Sequence, residues 1–108
     1  MTVSELIEKA GFKAATLPEP DKEITGVYIG DLLSWVMGRA NSGDVWITIM
    51  SNMNILAVAS LADTACILVA EDVELSQDLL TTAKQKNINV LLTELGAYEA
   101  AVKISKLI

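Results

Sequence analysis

"ITIMSNMNILAVASLAD", residues 47–63, holds an apolar run, a polar break at Ser51, Asn52 and Asn54, and a second apolar run. No Gly, Pro or charge interrupts it before Asp63. The first run closes a strand over about residues 45–50, and the second makes a helix over about residues 53–61. A buried strand that turns through one polar corner into a helix is half of a βαβ unit.

The same rhythm extends in both directions. "ITGVYI" (24–29) is a strand, and Gly30-Asp31 opens a helix that runs to about Gly38. "NSG" (41–43) is a turn before the central strand. "ACILVA" (65–70) is a third strand, followed by a helix capped at Ser76 that reaches about Lys86. "INVLL" (88–92) is a fourth, and a last helix spans about Gly96 to Lys106. The fold class that follows is α/β: a single-domain sandwich with a mainly parallel sheet covered by helices, joined by right-handed crossovers. Residues 1–21 precede this unit as a helix and a loop. Thr2 and Glu5 form a capping box before "LIEKA", Gly11 suits its far end, and Pro18 and Pro20 keep "TLPEPDKE" a loop. The core unit is residues 22–108 of a single domain, residues 1–108.

Composition excludes several function classes. The 108 residues carry 8 basic and 14 acidic side chains, a net charge of −6, so a phosphate backbone of nucleic acid is no partner. Lys84, Lys86, Lys103 and Lys106 are spaced like solvated helix faces. There is no His and one Cys, Cys66, inside an apolar strand. His-based nucleophile systems, His-ligated metals and a four-thiolate cluster in one chain are thereby excluded. No cofactor is expected. No apolar stretch is long enough to span a membrane, and the acidic start is unlike a signal peptide, so the expected setting is cytoplasmic.

Two helices differ from the rest. "DLLSWVMG" and "MNILAVASLA" are apolar almost all round, and such helices need cover on every side. In a chain this small the simplest second cover is another copy. A homodimer is therefore expected through Leu32, Trp35, Val36, Met53 and Leu56, with Trp35 as anchor. The alternative is that the N-terminal helix supplies the cover.

Ligands of open parallel sheets bind beyond the carboxyl ends of the strands. The residues expected there are Asp31, Ser51, Asn52, Asn54, Glu71, Thr93 and Tyr98. Ser51 or Asn52 can cap the following helix, while Asn54 lies past the cap, where an amide is a poor helix former. Helix caps with a dimer contact explain these residues, and so does a site for a small anionic ligand on free helix N–H groups. Asp31 and Glu94 stand where caps and first-turn acids belong. With Glu71 and Asp72 they could also hold Mg²⁺, although no spacing demands it. No phosphate-binding Gly-Lys loop or dinucleotide fingerprint is present.

"ITGVYIGDLLSWVMG", "WITIMSNMNILAVASLAD", "CILVA" and "INVLLTELGAYEAA", in that order, are similar to the DRTGG domain. The resemblance covers roughly residues 22–108. It implies a fold like the N-terminal domain of HPr kinase/phosphorylase, and it implies dimerisation. It also implies a regulatory, non-catalytic role, as for the related domain of CBS-containing pyrophosphatases. For small standalone members it implies an accessory of a hydrogenase or other redox system. A nucleotide is the ligand class that the family suggests. A pure protein–protein adaptor is the alternative, and a carboxylate-based enzyme is a third. Ser51-Asn52 stands in place of the family's Asp-Arg, and Val69-Ala70-Glu71 in place of its Thr-Gly-Gly. Thr93 and Tyr98 keep the terminal block.

Overall fold

In the computed structural model, which describes residues 1–108, the strands lie side by side in the order in which the chain makes them, with one exception. The strands are β1 (Lys13–Thr16), β2 (Gly26–Ile29), β3 (Asp44–Thr48), β4 (Cys66–Val69) and β5 (Val90–Leu92). The sheet order is β1-β5-β4-β3-β2. β2 to β5 are parallel, and β1 is the exception, antiparallel to β5 at the edge. The helices are α1 (Val3–Ala10), α2 (Leu33–Arg39), α3 (Asn54–Ala62), α4 (Gln77–Gln85) and α5 (Ala97–Ser105).

Three successive right-handed crossovers that step in one direction deliver their helices to one face. α2, α3 and α4 accordingly share a face, where Val36, Ile55, Leu56, Leu79 and Ala83 pack on Trp46, Ile67, Val69 and Val90. α1 and α5 cover the other face, where Val3, Leu6, Ala100 and Ile104 pack on Val45, Ile47, Leu68 and Leu91. Alternate strand residues feed the two cores, so every residue of β3 and β4 is buried. That is why β4 and the centre of β3, Val45–Ile47, are continuously apolar in sequence. Cys66 is fully buried among them.

Local signals set several ends. Thr2 and Glu5 complete the capping box of α1, and Gly11 closes it with a left-handed backbone (φ 77°). The Ser76 hydroxyl accepts from the Leu79 N–H at the start of α4. α1 lies on the opposite face from α2 and α3, so it does not supply their outer cover.

The fifth strand is a correction to the sequence reading, which expected four. "KAAT" carries little strand propensity of its own. Its place is fixed by tertiary contacts: the Thr16 hydroxyl donates to the Ile88 carbonyl (2.7 Å) and accepts from the Val90 N–H (3.0 Å). Buried Asn89 extends this seam by accepting from the Glu19 N–H (2.9 Å) and donating to the carbonyls of Glu19 (2.7 Å) and Ala65 (3.0 Å).

Candidate functional site

The four parallel strands end at one edge of the molecule, and the expected site residues all belong to the segments that leave that edge. They divide into two groups. Asp31, Ser51, Asn52 and Asn54 follow β2 and β3 and lead into α2 and α3. Glu71, Thr93 and Tyr98 follow β4 and β5, and Tyr98 rides on α5 at the opposite face of the sheet.

Asp31 is a tie between strand ends and not a helix cap. Its carboxylate accepts from the Thr48 hydroxyl (2.7 Å) and the Ile49 N–H (2.9 Å), joining the end of β2 to the end of β3. α2 starts one residue later than expected from a cap at Asp31, and Leu32 at its N-cap gives no side-chain hydrogen bond. Asn52 is not the cap of α3, a place that Met53 takes without a side-chain hydrogen bond; its side-chain oxygen accepts from the Asn54 N–H (3.0 Å), a local turn that leads into the helix. Ser51 and Asn54 are exposed, with no side-chain hydrogen bond within the chain. Glu94 is no cap either, since Gly96 takes that place at α5.

The expected dimer residues also divide. Val36 and Leu56 are buried in the chain's own core, because they are the inward positions of α2 and α3. They correct the interface set. Leu32, Trp35 and Met53 are exposed, Trp35 by 53%. The Arg39 guanidinium lies over the Trp35 ring, 3.8 Å from its centroid, one turn along α2. Met37 and Leu61 are exposed on the same two helices, and Ile29 and Ile49 at the adjoining strand ends. Only Asp31, Arg39 and Asp44 are charged between residues 29 and 62.

A cavity of about 420 Å³ opens at the other end of the same edge. It lies where the chain changes face: β4 leads to α4 on one side of the sheet, and β5 leads to α5 on the other. Such a reversal parts the two outgoing loops and leaves a crevice. Phe12, Leu92, Leu95 and Val73 give it apolar walls, and Lys13, Lys103, Asp72, Glu94 and Thr93 give it polar ones. Among the expected ligand residues, Thr93 alone lines it; its hydroxyl accepts from the Leu95 N–H (3.2 Å).

Sequence reasoning missed Phe12 and Lys13, because β1 was not recognised. It also misjudged Lys103, which is no idle surface group. Its ammonium donates to the Ala10 carbonyl at the end of α1 (2.9 Å), across 93 positions of chain. Lys103 makes no ion pair, and the chain's two ion pairs lie elsewhere.

The loop after β4 carries its own strain. Glu71 and Asp72 are consecutive non-glycine residues in left-handed backbone, φ 65° and 57°. Their N–H groups donate to Leu95 (2.9 Å) and Thr93 (3.0 Å), which hold the loop against the start of α5. Glu71 stands where the resemblance puts a signature glycine, and it keeps the backbone that a glycine would adopt freely. No group of three Cys, Asp or Glu side chains is placed to hold a metal ion. No helix is long and apolar enough to cross a membrane.

No curated protein matches the sequence significantly. Among solved structures, the fold is similar to the CBS and DRTGG domains of the regulatory region of Clostridium perfringens pyrophosphatase, complexed with its activator diadenosine tetraphosphate. The two are 18% identical with a TM-score of 0.73, over 95% of this chain and 45% of that one. This chain thus spans less than half of the regulatory region that it matches. The sequence also matches the DRTGG domain over residues 19–107, which takes in all four parallel strands and the helices that follow them. The chain therefore belongs to the DRTGG domain family.

Proposed function

We propose that this chain is a non-catalytic regulatory module that works by self-association, two copies meeting through the outer side of α2 and α3. The observation that carries the reading is where its apolar surface lies. Seven of the nine large apolar side chains left exposed fall between Ile29 and Leu61, so one stretch of chain, and not the whole surface, calls for cover. The near absence of charge on that stretch lowers the cost of bringing two acidic molecules together there. Arg39 stacked on Trp35 holds the indole in place before any partner arrives, as an interface anchor requires.

The nucleophile inventory supports a non-catalytic role. Burial pushes the Cys66 thiol up to about 12, so it is a neutral core group at physiological pH. The resemblance adds a hydrogenase or other redox enzyme as the larger partner and a cytoplasmic setting, both testable by co-purification from native cells.

Sedimentation velocity at micromolar concentration tests the reading. The wild type is expected as a dimer, and Trp35→Glu as a folded monomer. A monomeric wild type refutes self-association.

A second reading is favoured by the nucleotide activator of the pyrophosphatase region. In it the exposed side chains of Ser51 and Asn54, which make no hydrogen bond within the chain, receive a small anion at the start of α3. A thermal shift with adenine nucleotides, lost on Asn54→Leu, is its expected signature.

A further inference from the structure

We infer that the cavity between α1, β1, β5 and α5 is a binding site for a small zwitterionic amphiphile, of the chemical class of a free amino acid with an apolar side chain. The inference does not rest on self-association, since the cavity and the apolar side of α2 and α3 lie in different layers.

Lys13 and Lys103 bring two positive charges, and Asp72 and Glu94 two negative ones. These four are exposed at the cavity and make no ion pair with one another; the chain's ion pairs are Met1–Glu23 and Lys22–Asp63. The cavity is thus lined by unpaired charges of both signs beside the apolar side chains of Phe12, Val73, Leu92 and Leu95. A ligand that carries a carboxylate and an ammonium on one apolar body answers both signs at once.

Positions are fixed by elements and not by loose loops alone. Lys13 opens β1 and is the register partner of Leu92 on β5. Lys103 is held against the end of α1 by its bond to Ala10, which leaves two of its three N–H donors free. Asp72 is anchored through its N–H to the Thr93 carbonyl (3.0 Å). The volume, about 420 Å³, is at the small end of the range of roughly 300–1,000 Å³ common for ligand sites. Equal numbers of acids and bases, in a chain of net charge −6, disfavour a polyphosphate there.

Thermal melts with L-leucine and L-phenylalanine test this. At about ten times the Kd, either is expected to raise the melting temperature by about 5 °C or more. Isoamylamine and 4-methylpentanoate, which each keep the apolar body and one charge, are expected to give no shift. Lys13→Met and Asp72→Asn, with ligand-free melting unchanged, are expected to weaken amino-acid binding at least tenfold; Asn also tolerates the backbone at position 72. No shift from either amino acid up to about 10 mM overturns the inference, as does a shift that survives both substitutions. A shift from ATP that Lys13→Met abolishes also overturns it, by assigning the cavity to polyanions. Sedimentation of the same samples reads self-association separately.

Discussion

The Thr48 hydroxyl donates to the Asp31 carboxylate across 2.7 Å, so the end of β3 is fastened to the loop that leaves β2. The same carboxylate oxygen takes the Ile49 N–H at 2.9 Å. β2 is an edge strand of four residues, and this double acceptor is what aligns the start of α2 beside α3. Asp31→Ala is expected to cost about 1–2 kcal/mol in urea unfolding, the range for lost hydrogen bonds to a partly solvated charged group. Asp31→Asn retains an acceptor oxygen and is expected to lose less than half of that. Equal losses for both would mean that charge, and not acceptance, is what position 31 supplies.

Glu71 carries a backbone that favours glycine, with φ at 65°. A left-handed non-glycine residue costs roughly 1–2 kcal/mol, and glycine's added freedom in the unfolded chain takes back about 0.4–1 kcal/mol. Glu71→Gly is therefore expected to raise unfolding stability by up to about 1 kcal/mol. A clear loss instead would show that the Glu71 side chain makes a stabilising contact of its own.

Cys66 couples stability to alkaline pH. Its thiol is raised from 9.0 to about 12 by burial in β4. Between those values the unfolded chain has released the proton and the folded chain has not, so the unfolded state gains and stability falls as pH rises. The contribution is intact below pH 9 and is lost toward pH 12, by up to about 4 kcal/mol. Denaturant unfolding across pH 8 to 11 is expected to fall more steeply for wild type than for Cys66→Ala. Parallel slopes would contradict a fully buried thiol.

Much of the fold was legible because its strands announce themselves. β4 and the centre of β3 are buried on both faces, which forces apolar runs there, and Thr2, Gly11 and Ser76 are local signals whose partners lie within four residues. β1 was illegible for the opposite reason. Lys13 meets Leu92 and Thr16 meets Val90, so its pairing depends on residues more than seventy positions away. The cavity inherits that opacity: Lys103 reaches Ala10, and Asp72 reaches Thr93, only once the sheet exists. At the rim the sequence placed polar residues at the right edge, yet Asp31 joins strands and Asn52 forms a turn before α3, neither capping a helix. Val36 and Leu56 were misassigned to an interface because an all-round apolar helix does not mark which of its sides faces its own core.

A second copy is expected to cover Trp35, and the fluorescence of that indole reads the cover out. Trp46 is fully buried, so Trp46→Phe leaves Trp35 as the single reporter. Acrylamide quenching of that variant should be weak at high protein concentration and should strengthen on dilution as the two copies part. Quenching that is strong and independent of concentration would show Trp35 permanently open to solvent and rule out its burial by a second copy.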